Sequence, residues 1–424
     1  TVECNYKETN GIFSFELGEY DKNYDLIIDP ELIFCTYSGS TGLVSADAAT
    51  YDVDGNMYVS GGTFGSGYPV TTGAYQTSAS TVGFTMGLQK FNSTGTQTLY
   101  ATYLGGTNGN DYPLSMTVAQ NGLLYLLGTT EASLFPMRSS YDASYNGGRD
   151  YIVCALSADG NQLIASTFIG GVRTEGPYTS NNVSSLITDD NNNVYVTGYT
   201  NSTDFPTTTG VISNTRNGNS DAVVYKLNST LSNLIWSTYF GGSGEEFGSD
   251  IKINSDNNIV ITGNTTSASI AGVSGLNSAF LGGSSDGYVA TINSTASTVI
   301  NGTYLGTSGL DKTKFLQLSS TDEVYIIGST SGSYPTTPGV YSTSGTLNYF
   351  IDHLNKDLST RIHSTTIGTS GDFSDLNNDF VATAFGLDGC NKVHFTAAVT
   401  SGSFPLTADA FKRDRSGLYM AVLQ

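Results

Sequence analysis

The chain is a succession of short apolar segments that end at glycine and are separated by polar turns. A second kind of segment follows turns rich in Asn, Asp and Gly, as in Asp54–Thr63 and Asn191–Thr200. Short apolar runs bounded by turn residues predict β strands. The glycine-ended segment recurs six times, at Leu32–Gly39, Leu99–Gly106, Leu163–Gly171, Leu234–Gly242, Val299–Gly306 and Ile362–Gly368.

Each repeat contains four predicted strands, which we label A to D. Strand A precedes the polar turn, B follows it, and D is the glycine-ended segment. Strand C comes after an aromatic-proline pair in five repeats, while the fourth repeat has Ile270-Ala271 near this place. Equivalent positions in strand B are 65 to 70 residues apart: Tyr58, Tyr125, Tyr195, Val260, Tyr325 and His394. Four short antiparallel strands repeated six times predict a six-bladed β-propeller. A solenoid is the alternative, but its ends would need capping repeats.

The order of strands at the two ends predicts how the ring closes. The first D strand, Leu32–Gly39, has no A, B or C strand before it, and the last repeat reaches Gln424 without a D strand. We therefore predict one propeller over residues 31–424, with Leu32–Gly39 completing the sixth blade. Within residues 1–30, the segments GIFSFELGEY at 11–20 and YDLIIDP at 24–30 alternate apolar and polar positions like two strands. We expect them to be the end of a preceding domain or a hairpin packed on the propeller.

Composition and charge narrow the classes of partner. The 50 glycines, 27 tyrosines and 20 phenylalanines among 424 residues suit many strands and turns. The net charge of −20 disfavours nucleic acid and anionic membrane surfaces. No apolar run reaches the roughly 18 residues of a membrane span. Many Ser, Thr, Asn and Gly residues with few charges suggest an extracellular protein, and the start at Thr1 suggests a processed chain or a fragment.

The repeats resemble the SBBP family of bacterial β-propeller repeats. The third repeat matches its pattern well, with NNNVYVTGYTNSTDFPTTTG at 191–210, DAVVYKLN at 221–228 and STYFGG at 237–242. The resemblance implies a secreted or cell-surface protein, often carried by the type IX route. It also implies other domains of the same precursor as possible partners, and no established catalytic residue.

The aromatic residues of the aromatic-proline pairs are the first candidate ligand-binding residues. They lie in the B–C connections, which at roughly 20 residues are longer than a hairpin needs. Long loops on a rigid scaffold commonly bind ligands. The alternative is that each ring wedges between neighbouring blades while proline stiffens the bend. The residues are Tyr68, Phe135, Phe205, Tyr334 and Phe404.

Acidic residues in the D–A connections are the second candidate site. These connections are expected near the central channel, where the acids could form a ring and bind Ca²⁺ through carboxylate oxygens. The alternative is that each acid accepts hydrogen bonds from turn N–H groups in its own blade. The acids are Asp111, Glu175, Glu246, Asp311 and Asp372.

Signatures of catalysis are sparse. The sequence has no G-x-S-x-G, H-E-x-x-H or P-loop motif. Its three histidines are scattered, and its four cysteines have no metal-ligand spacing. Neither oligomeric state nor disulfide pairing follows from the sequence. The histidines are His353, His363 and His394, and the cysteines are Cys4, Cys35, Cys154 and Cys390.

Three functional hypotheses follow. The first is a non-catalytic binding or adhesion module for an extracellular glycan or protein. The second is an enzyme that acts on polysaccharide through carboxylates near the central channel. The third is a structural spacer or assembly subunit. A propeller can host any of the three.

Overall fold

All regular structure in the described part of the chain is β. It comprises 26 strands and no helix, so the described residues include no helix that could span a membrane. This confirms the predicted all-β class. A computed structural model describes residues 4–9, 12–17, 36–177, 184–342, 347–369, 382–389, 391–399 and 417–423.

The first three repeats each form one antiparallel sheet, and an isolated hairpin precedes them. The hairpin pairs β1 (Cys4–Thr9) with β2 (Ile12–Leu17). Sheet 1 contains β3 (Leu43–Val44), β4 (Ala48–Tyr51), β5 (Met57–Phe64), β6 (Phe84–Phe91) and β7 (Thr98–Leu104). Sheet 2 contains β8 (Asp111–Val118), β9 (Leu124–Thr130), β10 (Asp150–Leu156) and β11 (Leu163–Ile169). Sheet 3 contains β12 (Ser185–Thr188), β13 (Val194–Thr200), β14 (Asp221–Leu227) and β15 (Leu234–Phe240).

The last three repeats follow the same plan. Sheet 4 contains β16 (Glu246–Ile253), β17 (Ile259–Thr265), β18 (Asp286–Ile292) and β19 (Val299–Leu305). Sheet 5 contains β20 (Asp311–Leu318), β21 (Val324–Thr330), β22 (Leu347–Leu354) and β23 (Arg361–Thr369). Sheet 6 contains β24 (Ala382–Leu387), β25 (Val393–Val399) and β26 (Gly417–Leu423).

The strand order within the sheets matches the predicted A–B–C–D order. Sheets 2 to 5 run through four consecutive strands, each antiparallel to the next, and sheet 1 adds β3 beside β5. The A strand of each sheet contacts the A strand of the following sheet, from β4 through β8, β12, β16 and β20 to β24. The A strands are therefore the elements through which consecutive sheets meet.

The predicted closing strand falls largely outside the described residues. Residues 32–35 are not described, and residues 36–39 form no strand. Sheet 6 has three strands among the residues that the structure describes. Of the N-terminal segment, the structure describes the hairpin of β1 and β2. Strand β2 lies within the first predicted strand, β1 was not predicted, and the second predicted strand, at 24–30, lies outside the described residues.

The core lies between the sheets, because the middle strands bury both of their faces. In β14, Val223 belongs to a cluster shared with sheet 2, and the next residue, Val224, belongs to a cluster shared with sheet 4. Successive strand residues point to opposite faces, so an apolar residue at every position serves two neighbours. This explains why the C-strand segments are almost continuously apolar.

The A–B turns need a left-handed backbone, as the Asp-Gly and Asn-rich sequences suggest. Gly55 has φ +76° and Asn192 has φ +61°. Gly and Asn adopt this region most readily, and such residues close tight hairpins. The segment Asp52–Asn56 is thus a hairpin turn between β4 and β5, in which Asn56 donates from its backbone N–H to Asp52.

Candidate functional site

A cavity of about 460 Å³ opens within the B–C connection of sheet 1. Two segments of this connection line it, and Tyr103 of β7 completes its wall. Its aromatic side chains are Phe64, Tyr68 and Tyr103, and its hydroxyl side chains are Ser66, Thr77, Ser78, Ser80 and Thr81. The remaining lining residues are glycines and one alanine, so none of the lining residues that the structure describes carries a charge.

The aromatic rings of this cavity differ in how far solvent reaches them. Phe64 ends strand β5 and is 55% exposed, whereas Tyr68 is buried. Tyr68 packs against Tyr103 with ring centroids 5.5 Å apart, and its backbone N–H donates to the Tyr103 hydroxyl at 3.1 Å. Burial, and next the neighbouring Tyr103, raise the pKa of Tyr68 far above its usual range. Tyr68 therefore shapes the cavity as a neutral phenol, and Phe64 offers the accessible ring.

The other aromatic-proline residues that the structure describes lie in the core. Phe135, Phe205 and Tyr334 are all buried. Phe205 contacts the rings of Tyr225 and Tyr239, with centroids 6.0 and 6.2 Å away. These contacts agree with the packing interpretation of the repeat. Phe404 lies outside the described residues, and ligand binding by this set of aromatics stays a prediction.

The acids of the D–A connections are buried beside their own connections, and the structure does not bring them together. Asp111, Glu175, Glu246 and Asp311 are all completely buried. Within the described ranges, no group of three or more His, Cys, Asp or Glu side chains could hold a metal ion. Asp372 lies outside these ranges. Binding of Ca²⁺ by a ring of these acids stays a prediction, and the described residues contain no set of three such ligands.

Two of these buried acids accept hydrogen bonds both from a glycine-rich turn and from a threonine of strand B. Glu246 accepts from the Gly242 N–H at 2.8 Å and from the Thr265 hydroxyl at 2.6 Å. The Asp111 carboxylate accepts from the Gly106 N–H at 2.8 Å and from the Thr130 hydroxyl. The acid therefore ties the D strand of one sheet to the B strand of the next. These acids accept hydrogen bonds from turn N–H groups, as in the alternative that the sequence left open, but the turn glycine follows the D strand of the preceding sheet and does not lie in the acid's own blade.

A second set of acids, which the sequence analysis did not select, lies next to the first. Asp150, Asp221 and Asp286 open the C strands of sheets 2, 3 and 4 and are completely buried. A Cβ built on Gly306 would collide with Asp286 and lie 3.2 Å from Asp311 Oδ2. Only glycine fits between the two acids of such a pair. We call Asp150–Glu175, Asp221–Glu246 and Asp286–Asp311 the junction pairs, because each lies where two sheets meet.

The repeated Asp at the start of the C segments was the signal that could have revealed these pairs. Sheets 1 and 5 have the uncharged Thr85 and Asn348 at this register position. Burial raises the pKa of Asp150 and of Asp286 to about 7. It likewise raises the pKa of Glu175 to about 8 and that of Asp111 to about 7. A carboxyl group in this environment has no exposed oxygen to offer a large substrate.

Two of the histidines lie beside acids, and the described cysteine is buried in sheet 2. His353 stacks on Tyr325 with centroids 3.9 Å apart and lies 3.0 Å from Glu323. His394 lies 3.3 Å from Asp388. Cys154 is buried and unpaired, and burial raises the pKa of its thiol. The side chains of Cys4, Cys35 and Cys390 lie outside the described residues, so their pairing stays open.

One family model matches the chain. Residues 167–206 match the model of the SBBP family, described as a beta-propeller repeat. This match confirms the resemblance carried by the repeats, and this part of the chain is an SBBP-type repeat. Among proteins with curated annotation, none is similar to the chain.

Several solved structures match the chain at low identity, each with a TM-score below 0.5. A protein of unknown function from Dyadobacter fermentans is 12% identical, with 90% of this chain and 95% of that chain covered and a TM-score of 0.43. The NanB sialidase from Streptococcus pneumoniae is 8% identical, with 92% and 72% covered and a TM-score of 0.44. BamB from Moraxella catarrhalis is 10% identical, with 83% and 96% covered and a TM-score of 0.33.

Proposed function

We propose that residues 31–424 form a six-bladed β-propeller, with Leu32–Gly39 as the fourth strand of sheet 6. Two observations support this proposal. Five sheets have all four strands in the order A to D, and the A strands contact one another in sequence. Deleting residues 1–39 should then lower the melting temperature well below that of a chain lacking only residues 1–30. Equal melting temperatures of the two truncated chains would contradict closure by this strand.

We propose further that this propeller is a non-catalytic module that binds a neutral oligosaccharide, within a larger secreted or cell-surface protein. The observation that carries the proposal is the cavity of sheet 1, with its accessible Phe64 ring and its hydroxyl groups. The wider assignment to secretion, adhesion and the type IX route rests on the family resemblance alone.

The chemistry of the cavity favours a sugar over a charged ligand. A phosphate or carboxylate ligand is normally held by Arg or Lys, and none of the described lining residues is charged. The net charge of −20 also repels anions. A sugar ring presents C–H groups that pack on an aromatic face, and its hydroxyls match those of Ser66, Thr77 and Thr81 in the cavity wall. A concave, partly aromatic site with several polar groups is the usual form of a small-ligand site.

Binding can be tested on an array of immobilised neutral oligosaccharides, followed by calorimetric titration of any glycan that binds. Phe64→Ala should weaken binding roughly tenfold, as expected for the loss of one aromatic contact. The thermal stability of the Phe64→Ala variant should hardly change, because the Phe64 side chain is half-exposed. The matched control is Leu134→Ala, which removes an apolar side chain that is 63% exposed in the B–C connection of sheet 2, away from the cavity.

The other hypotheses predict different results in the same experiments. An enzyme would release shorter products from a neutral polysaccharide, and this result would replace the binding proposal. The junction acids are buried, which argues against their acting on a polysaccharide. No binding to any glycan, combined with self-association of the purified chain, would favour the spacer or assembly subunit.

A further inference from the structure

The junction pair Asp150–Glu175 has two carboxylate oxygens that lie together without a donor. Asp150 Oδ2 accepts from the Asn146 N–H at 2.8 Å, and Glu175 Oε1 accepts from the Thr200 hydroxyl at 2.9 Å. Asp150 Oδ1 and Glu175 Oε2 are buried and receive no N–H or O–H from another residue. Both oxygens lie around Gly170, where an added Cβ would meet them.

The two carboxyl groups lie side by side at Gly170, each with one buried oxygen that has no donor. Burial raises the pKa of Glu175, and although Ser202 and Gly171 oppose this shift, neither makes a hydrogen bond to Oε2. Two ionised carboxylates cannot bond to each other, because each is only an acceptor. A proton on one of them would supply the missing donor, and like charges in one buried site oppose ionisation of both groups. The geometry of the pair therefore favours one bound proton.

Among the described ion pairs, none joins a cation to either carboxyl group of the pair. Arg149 is next to Asp150 in sequence, but its guanidinium donates to the Gly176 carbonyl at 2.9 Å and faces Glu131 at 3.5 Å. The other titratable groups that act on the pair are acids or neutral phenols, namely Asp142, Asp204, Tyr145, Tyr151 and Tyr225. The acids disfavour ionisation of the pair still further.

The pair Asp221–Glu246 provides an internal contrast. Asp221 accepts from the N–H groups of Asn217 at 2.8 Å and Gly218 at 2.9 Å, one on each oxygen. Glu246 accepts from Gly242 and Thr265, again one on each oxygen. Four donors thus satisfy four oxygens, and this pair needs no shared proton.

We propose that Asp150 and Glu175 share one proton at neutral pH, and that this proton makes the contact between sheets 2 and 3 dependent on pH. The folded chain binds this proton, while the unfolded chain, with carboxyl pKa values of about 4, releases it. The folding equilibrium constant then falls roughly tenfold per pH unit once the unfolded acids ionise. The fall ends as the pH passes the pKa of the pair, which burial raises above the usual carboxyl range.

The test compares Asp150→Asn with Asp221→Asn in the full chain by urea unfolding at pH 5, 6, 7 and 8. The amide introduced by Asp150→Asn can accept from the Asn146 N–H and donate to Glu175, so it imitates the protonated acid. The folding constant of this variant relative to wild type should rise by roughly tenfold per unit over this range. Asp221→Asn instead puts an amide N–H against a backbone N–H, so it should weaken folding at every pH.

Infrared spectroscopy provides a second readout that does not depend on the unfolding measurements. The difference spectrum of wild type minus Asp150→Asn at pH 7 should contain the carbonyl stretch of a protonated carboxylic acid. Parallel pH profiles of wild type and Asp150→Asn, or the absence of that band, would overturn the proposal. Stabilisation of wild type but not of Asp150→Asn by millimolar Ca²⁺ would also overturn it, because the pair would then be a cation site.

Discussion

Replacing Phe205 by alanine tests whether the aromatic-proline pairs hold the sheets together. Phe205 is 3% exposed and belongs to the cluster between sheets 2 and 3, where it packs against Tyr225 and Tyr239. Two hydrogen bonds link the backbone beside the ring to Tyr239. The Phe205 N–H donates to the Tyr239 hydroxyl at 3.0 Å, and this hydroxyl donates to the Ser202 carbonyl at 3.0 Å. The substitution removes the ring and leaves these backbone bonds in place.

The expected loss follows from the size of the cavity that remains. Truncating a buried Phe to Ala lowers the free energy of unfolding by about 3–5 kcal/mol, because burial is lost and the surroundings relax only in part. The two edge-to-face or tilted ring contacts belong to this total, at about 0.5–1.5 kcal/mol each. We expect a decrease in the upper half of the range.

Urea unfolding measures this decrease through the single tryptophan. Trp236 is buried against Tyr195 in the adjoining cluster, so its fluorescence should change when the sheets separate. The urea midpoint should fall at constant slope, and far-UV circular dichroism should give the same transition.

The fourth repeat supplies the control, because Ile270 occupies the corresponding place and is buried. Phe205→Ile should lower the free energy of unfolding by only about 1–2 kcal/mol, since much of the apolar volume is kept. A loss below about 1 kcal/mol for Phe205→Ala would refute the packing argument, because a buried ring cannot be removed so cheaply. If the ring instead served a ligand, binding would fall and stability would not.

Three further substitutions or modifications test other parts of the structure. Gly170→Ala should lower the free energy of unfolding by about 1–3 kcal/mol or more, because its Cβ would meet Asp150 and Glu175. Gly386→Ala is the control in the same urea assay, because Gly386 has open space around it. Equal losses of stability in the two variants would contradict the argument. Burial alone would raise the pKa of Asp52, but hydrogen bonds from Asn56 and Lys90 outweigh burial and lower it to about 2. This stabilisation is present above about pH 4 and is lost as the pH falls toward 2, so Asp52→Asn should flatten the acid limb of stability between pH 5 and 2, and an unchanged limb would count against it. Cys154 should resist a thiol reagent at pH 8 until the chain is unfolded, because burial raises the pKa of its thiol. Mass spectrometry of the peptide that contains Cys154 measures the labelling. Rapid labelling of the native chain would show that the Cys154 thiol is accessible and would contradict this prediction.

Local patterns in the sequence were enough to predict most of the strands and the turns between them. The A–B turn before β13 needs positive φ at Asn192, and Asn is among the few residues that adopt it readily. The apolar runs of β10 and β14 lie where both faces of a strand are buried. These features depend on neighbours within a few residues, so the order of amino acids carries them directly.

Relations between sheets were decided by the tertiary structure. The sequence pointed to Glu175 but not to Asp150, because the two acids lie in different parts of the chain and meet only where sheets 2 and 3 pack. It also placed Tyr68 and Phe205 in one class, whereas packing puts Phe205 in the core and Tyr68 at the wall of a cavity beside the exposed Phe64. The physical reason is that burial and the pKa of a carboxyl group depend on distances between residues far apart in the chain. Those distances follow from how the sheets pack, which strand periodicity alone does not specify.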